Sequence, residues 1–416
     1  MKPLRILYVV TRFPSVTETF IATQIAGMLE QGHDCTIFSY ERSADEVIHQ
    51  IISDYKLQEK VIYHFKNESG FLKKGVGVLR FLFRYASRIS FTTLISICNP
   101  FRWAKVKEQR LAYWDMPVFL LDTTYDVIHC HFGFNAVKLT RAYQARIVPK
   151  SRFVVSFHGS DLTPSKIPQY QELYRDLFAV FDAFTVNTPY LKSLLLQVKP
   201  DLVSVPILPV GFHSDYLDPF LDLPKDDSLF RLVYCGRLMS LKGPDVAIRI
   251  LSELHTRGYA QMRLVLIGSG EEEVRLRTLA LTLEVDSFIT WAGAVSQKAV
   301  FHLMGTSDVF LYTGRVEEGT GRAETQGLVI QEAQYLKLPV VVADVGGVCF
   351  GVQPELTGFL VKNEDINEFV EKILFLYHNT NERIKFAENA HKWIKNNYSI
   401  RIHAQILLKI YFNGEI

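Results

Sequence analysis

The sequence predicts an α/β fold of two doubly wound, Rossmann-like halves facing each other across a deep cleft. Three observations predict it. Short apolar runs of β-formers alternate with segments of helical apolar spacing, the pattern of strand–helix–strand units in a parallel sheet. The alternation occurs twice, on either side of a stretch rich in Asp and Pro, Asp215–Leu229. Glycine, histidine and charged residues gather just after the strand-like runs, at the edge where open parallel sheets bind ligands.

The first series opens with a buried-type strand, Arg5–Val10, and a loop, Thr11–Thr19. Phe20, Ile21, Ile25, Met28 and Leu29 then recur at helical spacing, Gly32 ends the helix, and Cys35–Tyr40 is a second strand. The loop carries Arg12 and the hydroxyls of Thr11, Ser15, Thr17 and Thr19. Arg12, Ser15 and Thr17 are candidate acceptor contacts, and Ser15 or Thr17 also suits a helix cap, with Glu18 in the first turn. Asp126–His131 and Phe153–Phe157 are further strands, each ending in histidine and glycine. His131, His158 and Asp161 are therefore candidate site residues, His158 foremost because Gly159 and Asp161 make a tight polar turn after it. Phe184–Asn187 is another strand, and Ile207–His213 closes the series.

Residues 65–110 differ in character. Lys66, Lys73, Lys74, Arg80, Arg84, Arg88, Arg102, Lys105, Lys107 and Arg110 face only Glu68 and Glu108, interleaved with Phe71, Leu79, Phe81, Phe83 and Phe91. One or two basic amphipathic helices are expected there, suited to an anionic membrane surface.

The second series runs Phe230–Tyr234, a helix from Asp245, strand Arg263–Ile267 ending in Gly268-Ser269-Gly270, and strand Phe288–Trp291. Ser296 caps a helix from Gln297, Val309–Tyr312 is a strand, and a long polar loop leads to Arg322–Val342. In this last stretch Glu324 lies on an approach loop, Gly327 turns the chain into a helix near Leu328, and Glu332 lies inside that helix. The free amides of the helix start are an anion site between two carboxylates, an arrangement that suits a sugar on a nucleoside diphosphate. Arg237 and Lys242, five residues apart beside Gly236 and Gly243, supply a fork and a point charge for a diphosphate. Residues 1–215 and 216–398 are the expected domains, with a terminal helix over 399–416 packing back on the first.

Composition narrows the function classes. The chain of 416 residues has 46 basic and 44 acidic side chains, so overall charge does not argue for nucleic acid. No apolar run reaches the ~18 residues of a spanning helix, and the run Ile6–Val10 is too short for a signal peptide. Cys35, Cys98, Cys130, Cys235 and Cys349 are scattered, which fits free thiols in a cytoplasmic protein and no metal site. A P-loop and a Gly-x-Ser-x-Gly elbow are both absent from the sequence.

These motifs, in this order, resemble family 4 retaining glycosyltransferases of the GT-B fold. The resemblance is carried by Gly236-Arg237-Leu238 with Lys242-Gly243, Leu266–Gly270, Trp291-Ala292-Gly293, Ser307-Asp308-Val309 and the Glu324/Glu332 pair before Pro339-Val340-Val341. Phe13-Pro14, Glu18-Thr19-Phe20, His131-Phe132-Gly133 and Phe157–Asp161 look most like the exopolysaccharide and colanic-acid branch. It implies an acceptor-binding first domain and a nucleotide-sugar-binding second one. Arg237 and Lys242, beside Gly236 and Gly268, would bind the donor diphosphate. Amides of Gln326, Gly327, Leu328 and Val329 would meet the distal phosphate. Glu324 would hold the sugar, Glu332 the ribose, and the backbone near Val295 the base. His158 would lie beside the reacting carbon. Ser15-Val16-Thr17 stands where many members have Gly-Gly, and Thr325-Gln326 replaces the first glycine and the aromatic of the usual Glu-Gly-Phe-Gly.

The resemblance thus implies a retaining transferase needing no cofactor or metal, acting on a glycan acceptor that the basic segment suggests is lipid-linked, at the inner face of the cell membrane. A soluble acceptor such as an aminocyclitol, and a non-catalytic sugar-nucleotide scaffold of a membrane synthase, are the competing readings.

Overall fold

The computed structural model describes residues 2–15, 18–43, 49–64, 71–90, 93, 95, 107–121, 123–226 and 228–412, with the side chains of 71–76 excepted. Strands β1 (Arg5–Phe13), β2 (Asp34–Arg42), β3 (Val61–Tyr63), β4 (Val127–His131), β5 (Arg152–Phe157) and β6 (Ala183–Val186) form one sheet in the order β3-β2-β1-β4-β5-β6. Strands β7 (Phe230–Cys235), β8 (Met262–Ile267), β9 (Ile289–Gly293), β10 (Val309–Tyr312), β11 (Val340–Ala343) and β12 (Gly358–Val361) form a second, in the order β12-β11-β10-β7-β8-β9. Every pairing is parallel, for instance Leu7 beside Ile128 and Leu232 beside Val309.

Continuous apolar runs became central strands because helices cover both faces. Ile6 to Val10 are wholly buried, with alternate residues entering two different cores. In each sheet the strand order reverses beside the first strand, β1 or β7, which opens a crevice at the carboxyl ends of the strands.

Two chain crossings join the halves and are hydrogen-bonded to each other. Phe212 N donates to Tyr398 O at 3.1 Å, and Ile400 N donates to Phe212 O at 3.0 Å. The last helix, Ile400–Tyr411, is capped by Ser399 and packs Ile400, Ala404, Leu407 and Tyr411 with Ile6, Tyr8, Ile21 and Ile25 of the first half. A Cβ on Gly27 would meet Ile400 at 2.8 Å, so glycine sets how closely these helices approach.

Several local expectations hold. Gly327 adopts φ 72° and starts a helix at Leu328, and Ser296 accepts from Ala299 N. The Thr19–Glu30 helix differs: Glu18 occupies its cap position and makes no side-chain cap bond. Of the basic segment, the Phe71–Arg84 helix is described, whereas Lys66, Phe91, Arg102 and Lys105 lie outside the described residues. The helix anchors Phe81 in the core and leaves Phe83 88% and Leu79 67% exposed. Cys35, Cys130, Cys235 and Cys349 are free thiols, and Cys98 lies outside the described residues.

Candidate active site

A cleft of about 840 Å³ lies between the two sheets, lined from both halves. From the first half come Thr19, Phe20, His158, Gly159, Asn187 and Tyr190. From the second come Gly236, Arg237, Lys242, Val295, Glu324, Gln326, Gly327, Leu328, Val329 and Glu332. Every donor-side candidate lines the cleft except Gly268. That glycine, at φ +131°, lies against the carbonyl of Gly236, where a Cβ would come to 2.0 Å. It shapes the loop rather than lining the cleft.

Lys242 and Glu324, 82 residues apart, form an ion pair on the cleft wall. Lys242 reaches it because Gly243 turns the chain at φ +63° just before the Pro244–Thr256 helix. Glu324 is held by its own neighbours: its Oε1 accepts from Thr325 N at 3.1 Å, and its carbonyl accepts from Gly347 N at 2.8 Å. Burial pushes the Glu324 carboxyl up, but the charge and hydrogen bond of Lys242 and the amides of Thr325 and Gln326 outweigh it. The net position is below the usual carboxylate range. Arg237 is exposed at the mouth of the cleft.

Among the described residues Glu332 has no such cation. Burial pushes it from 4.5 to about 7. An acid raised by folding is no burden below its unfolded value and costs stability once it ionises, so Glu332 by itself removes stability as pH rises from about 4.5 to about 7, while the buried neutral His158 and His403 act in the opposite sense. Glu332→Gln cannot ionise. It is expected to unfold at higher denaturant than wild type at pH 8, by about 1–3 kcal/mol, and to match it near pH 4. Equal stability at pH 8 would contradict this.

The acceptor-side candidates are dispersed. Arg12 pairs with Glu41 on the surface, neither Arg12 nor Ser15 lines the cleft, and Thr17 lies outside the described residues. His131 and Asp161 are fully buried, so neither presents an atom to an acceptor. Both support His158 instead. Asp161 accepts from the amides of Gly133, His158 and Gly159 at 2.8–3.0 Å, which fixes the turn, and His131 Nδ1 lies 3.0 Å from His158 Nε2. Burial pulls His158 down to about 3, so its ring is neutral at pH 7.

Thr325 and Gln326 tie the two halves together. Thr325 Oγ1 donates to His158 O at 3.1 Å and accepts from Asn187 Nδ2 at 3.2 Å, and Thr188 Oγ1 donates to Thr325 O at 2.9 Å. The Gln326 side chain donates to Val210 O at 3.0 Å and accepts from Val210 N at 2.9 Å. Gln326 is buried and its backbone amide donates to the Glu324 carboxylate, which leaves the amides of Gly327, Leu328 and Val329 for a phosphate. Sequence reasoning missed Asn187, although its place at the end of β6 was a usable signal. Glu18, read from the sequence as a first-turn acid, has an Oε2 that is buried without a hydrogen-bond partner among the described residues, and burial pushes its carboxyl up to about 7 against the pull of Arg12.

Comparison with known proteins bears on the second half of the chain and on the fold. Residues 220–393 match the family model of group 1 glycosyl transferases. A Salmonella typhimurium protein named as a colanic acid biosynthesis glycosyltransferase, WcaL, is 23% identical over 394 residues, 89% of this chain and 90% of its own. A GDP-mannose-dependent alpha-(1-6)-phosphatidylinositol monomannoside mannosyltransferase of Mycobacterium tuberculosis is 25% identical over 289 residues, 67% of this chain and 74% of its own. Among solved structures, Anabaena HepE in complex with UDP superposes with a TM-score of 0.71 at 16% identity, covering 99% of this chain and 100% of that one. A glycosyltransferase from Rickettsia africae superposes equally well, at 0.71 and 18% identity, covering 100% and 99%. With a group 1 glycosyl transferase domain in its second half and two parallel sheets enclosing the cleft, the chain is a glycosyltransferase of the GT-B fold.

Proposed function

We propose that the cleft moves a sugar from a nucleotide-sugar donor to a glycan acceptor with retention of configuration and without a metal ion. The observation that carries this reading is the Lys242–Glu324 pair, set beside the start of the Leu328–Tyr335 helix with Glu332 inside it. The donor diphosphate takes Lys242 and Arg237 and the amides of Gly327 to Val329, leaving Glu324 to accept from the sugar hydroxyls. Glu332 accepts from the ribose, and the backbone at Val295 meets the base. The acceptor hydroxyl attacks the anomeric carbon on the face from which the diphosphate departs. The carbon–oxygen bond to phosphate breaks, and the departing phosphate oxygen takes the acceptor's proton. Fixed cations and amides meet the charge that develops there. His158, at the opposite wall, borders the reacting carbon.

The relative's colanic-acid name supports a surface polysaccharide as product, and the Mycobacterium relative's phosphatidylinositol name supports a lipid-linked acceptor. Among the described residues no helix is long and apolar enough to cross a membrane. Contact with an anionic inner membrane face is instead made by the Phe71–Arg84 helix, where exposed Leu79 and Phe83 stand beside exposed Arg80 and Arg84. Exchanging Leu79 and Phe83 for serine is expected to weaken binding to anionic vesicles at least about tenfold while leaving the fold intact. Unchanged co-sedimentation would favour a soluble acceptor.

The function itself is tested by incubating the chain with nucleotide sugars and lipid-linked or free glycans, with a chelator present, and reading product configuration by NMR. Retained configuration with the chelator present supports the reading. An inverted product, or turnover that needs an added cation, would contradict it.

A further inference from the structure

His158 is the front member of a buried polar chain that reaches the last helix. His131 stacks on the ring of His158 at 5.2 Å and on that of His129 at 4.8 Å. Gln24 sits behind them. One end of its amide lies 3.3 Å from His129 Nδ1 and 3.4 Å from His131 Nε2, and the other lies 3.1 Å from His403 Nε2. His403 Nδ1 lies 2.8 Å from the carbonyl of Pro209. Gln24, His129, His131 and His403 are all buried.

Donor and acceptor rules decide where the hydrogens lie. A carbonyl only accepts, so His403 Nδ1 carries a hydrogen. The amide as placed points Oε1 at His403 Nε2, which requires a second hydrogen there and makes the ring a buried cation. Burial pulls His403 down to about 4, against the opposing pull of the Pro209 carbonyl. The ring is therefore neutral at pH 7, its Nε2 is bare, and the amide takes the opposite half-turn to donate its nitrogen there. The oxygen of Gln24 then faces His129 and His131, so His131 carries its hydrogen on Nε2 and leaves Nδ1 bare. That bare atom accepts from His158 Nε2. The rest of the network agrees: His129 Nδ1 donates to the Tyr411 hydroxyl at 2.7 Å, and its Nε2 accepts from the Ser156 hydroxyl at 2.7 Å. His158 Nδ1 has no hydrogen-bond partner among the described residues, and the residue lines the cleft.

We propose that Gln24 and His403 are positioning residues: through His131 they hold the hydrogen of His158 on Nε2 and leave Nδ1 bare, as an acceptor for a sugar hydroxyl in the cleft. The hydroxyl rests on the glycosyl-transfer reading above; the tautomer does not.

Ring-nitrogen NMR of the full chain at pH 7, with His158 assigned by His158→Asn, tests the tautomer without substrate. The expected result is a hydrogen on Nε2 and a bare Nδ1; a hydrogen on Nδ1 overturns the proposal. Gln24→Leu removes the amide, and His403→Asn keeps a donor for Pro209 while losing the acceptor for Gln24. Each is expected to give His158 a mixture of tautomers and to lower kcat about tenfold, with the donor KM within about twofold. An unchanged tautomer in both variants overturns the relay even if activity falls. If one variant does not fold, the other decides. The expected tautomer in a chain that transfers no sugar upholds the relay and counts against the transfer reading alone.

Discussion

Glu324→Gln is expected to lower kcat/KM for the donor by about 10²- to 10³-fold, the size of effect seen when one strong, charge-assisted contact to a reacting group is lost. The amide keeps the shape of the side chain but replaces one acceptor oxygen with a donor, so it cannot accept from two sugar hydroxyls at once. It also leaves Lys242 without its counter-charge. The two effects separate by pH. Glu324 is held below the usual carboxylate range, so its ion pair contributes stability that is present above the unfolded value of 4.5 and is lost as pH falls through the folded value. The wild type should lose that increment on acidification and the variant should not. Activity within threefold of wild type would remove Glu324 from the site.

Gly243→Ala is expected to cost about 2–4 kcal/mol of stability and most of the activity. Two independent penalties act there. The residue has φ +63°, a left-handed conformation that alanine adopts only with strain. A Cβ would also lie 1.8 Å from the carbonyl oxygen of Thr313, which is backbone and cannot swing aside. Relief requires the strand end at Thr313 or the turn holding Lys242 to move, and either disturbs the ion pair with Glu324 on the cleft wall. Gly258→Ala is the control: it has φ +92° and nothing within 4 Å of its Cβ, so it should be strained but leave the cleft untouched. A Gly243 variant with normal kcat would show that Lys242 need not be held in this position.

The sheets were legible because their strands are buried on both faces and so read as unbroken apolar runs, as at Arg5–Val10 and Phe230–Tyr234. The helix start at Gly327 was legible because glycine takes the left-handed turn without strain and an apolar stretch of helical spacing follows it directly. Contacts between distant segments were not. The Lys242–Glu324 pair joins the loops after β7 and β10, which are neighbours in one sheet although 82 residues separate the two side chains in sequence. His131 and Asp161 carry polar side chains at strand ends, which fits a cleft wall and the layer behind it equally well; only burial assigns them to the second. Thr325 and Gln326 stood out as a departure from the glycosyltransferase pattern and pointed to donor preference. Their hydrogen bonds reach across to His158, Asn187, Thr188 and Val210, so the departure also bolts the two halves together.

The central claim is that the second half of the chain binds a nucleoside diphosphate through Lys242, Arg237 and the helix start at Leu328. Calorimetric titration of the wild type and the Arg237→Ala/Lys242→Ala double variant with UDP, GDP, ADP and dTDP, in the presence of chelator, measures it directly. One diphosphate is expected to bind the wild type with a stoichiometry of about one and to bind the double variant at least about 100-fold more weakly. Equal affinity in a folded double variant, or no binding of any of the four to the wild type, would contradict it.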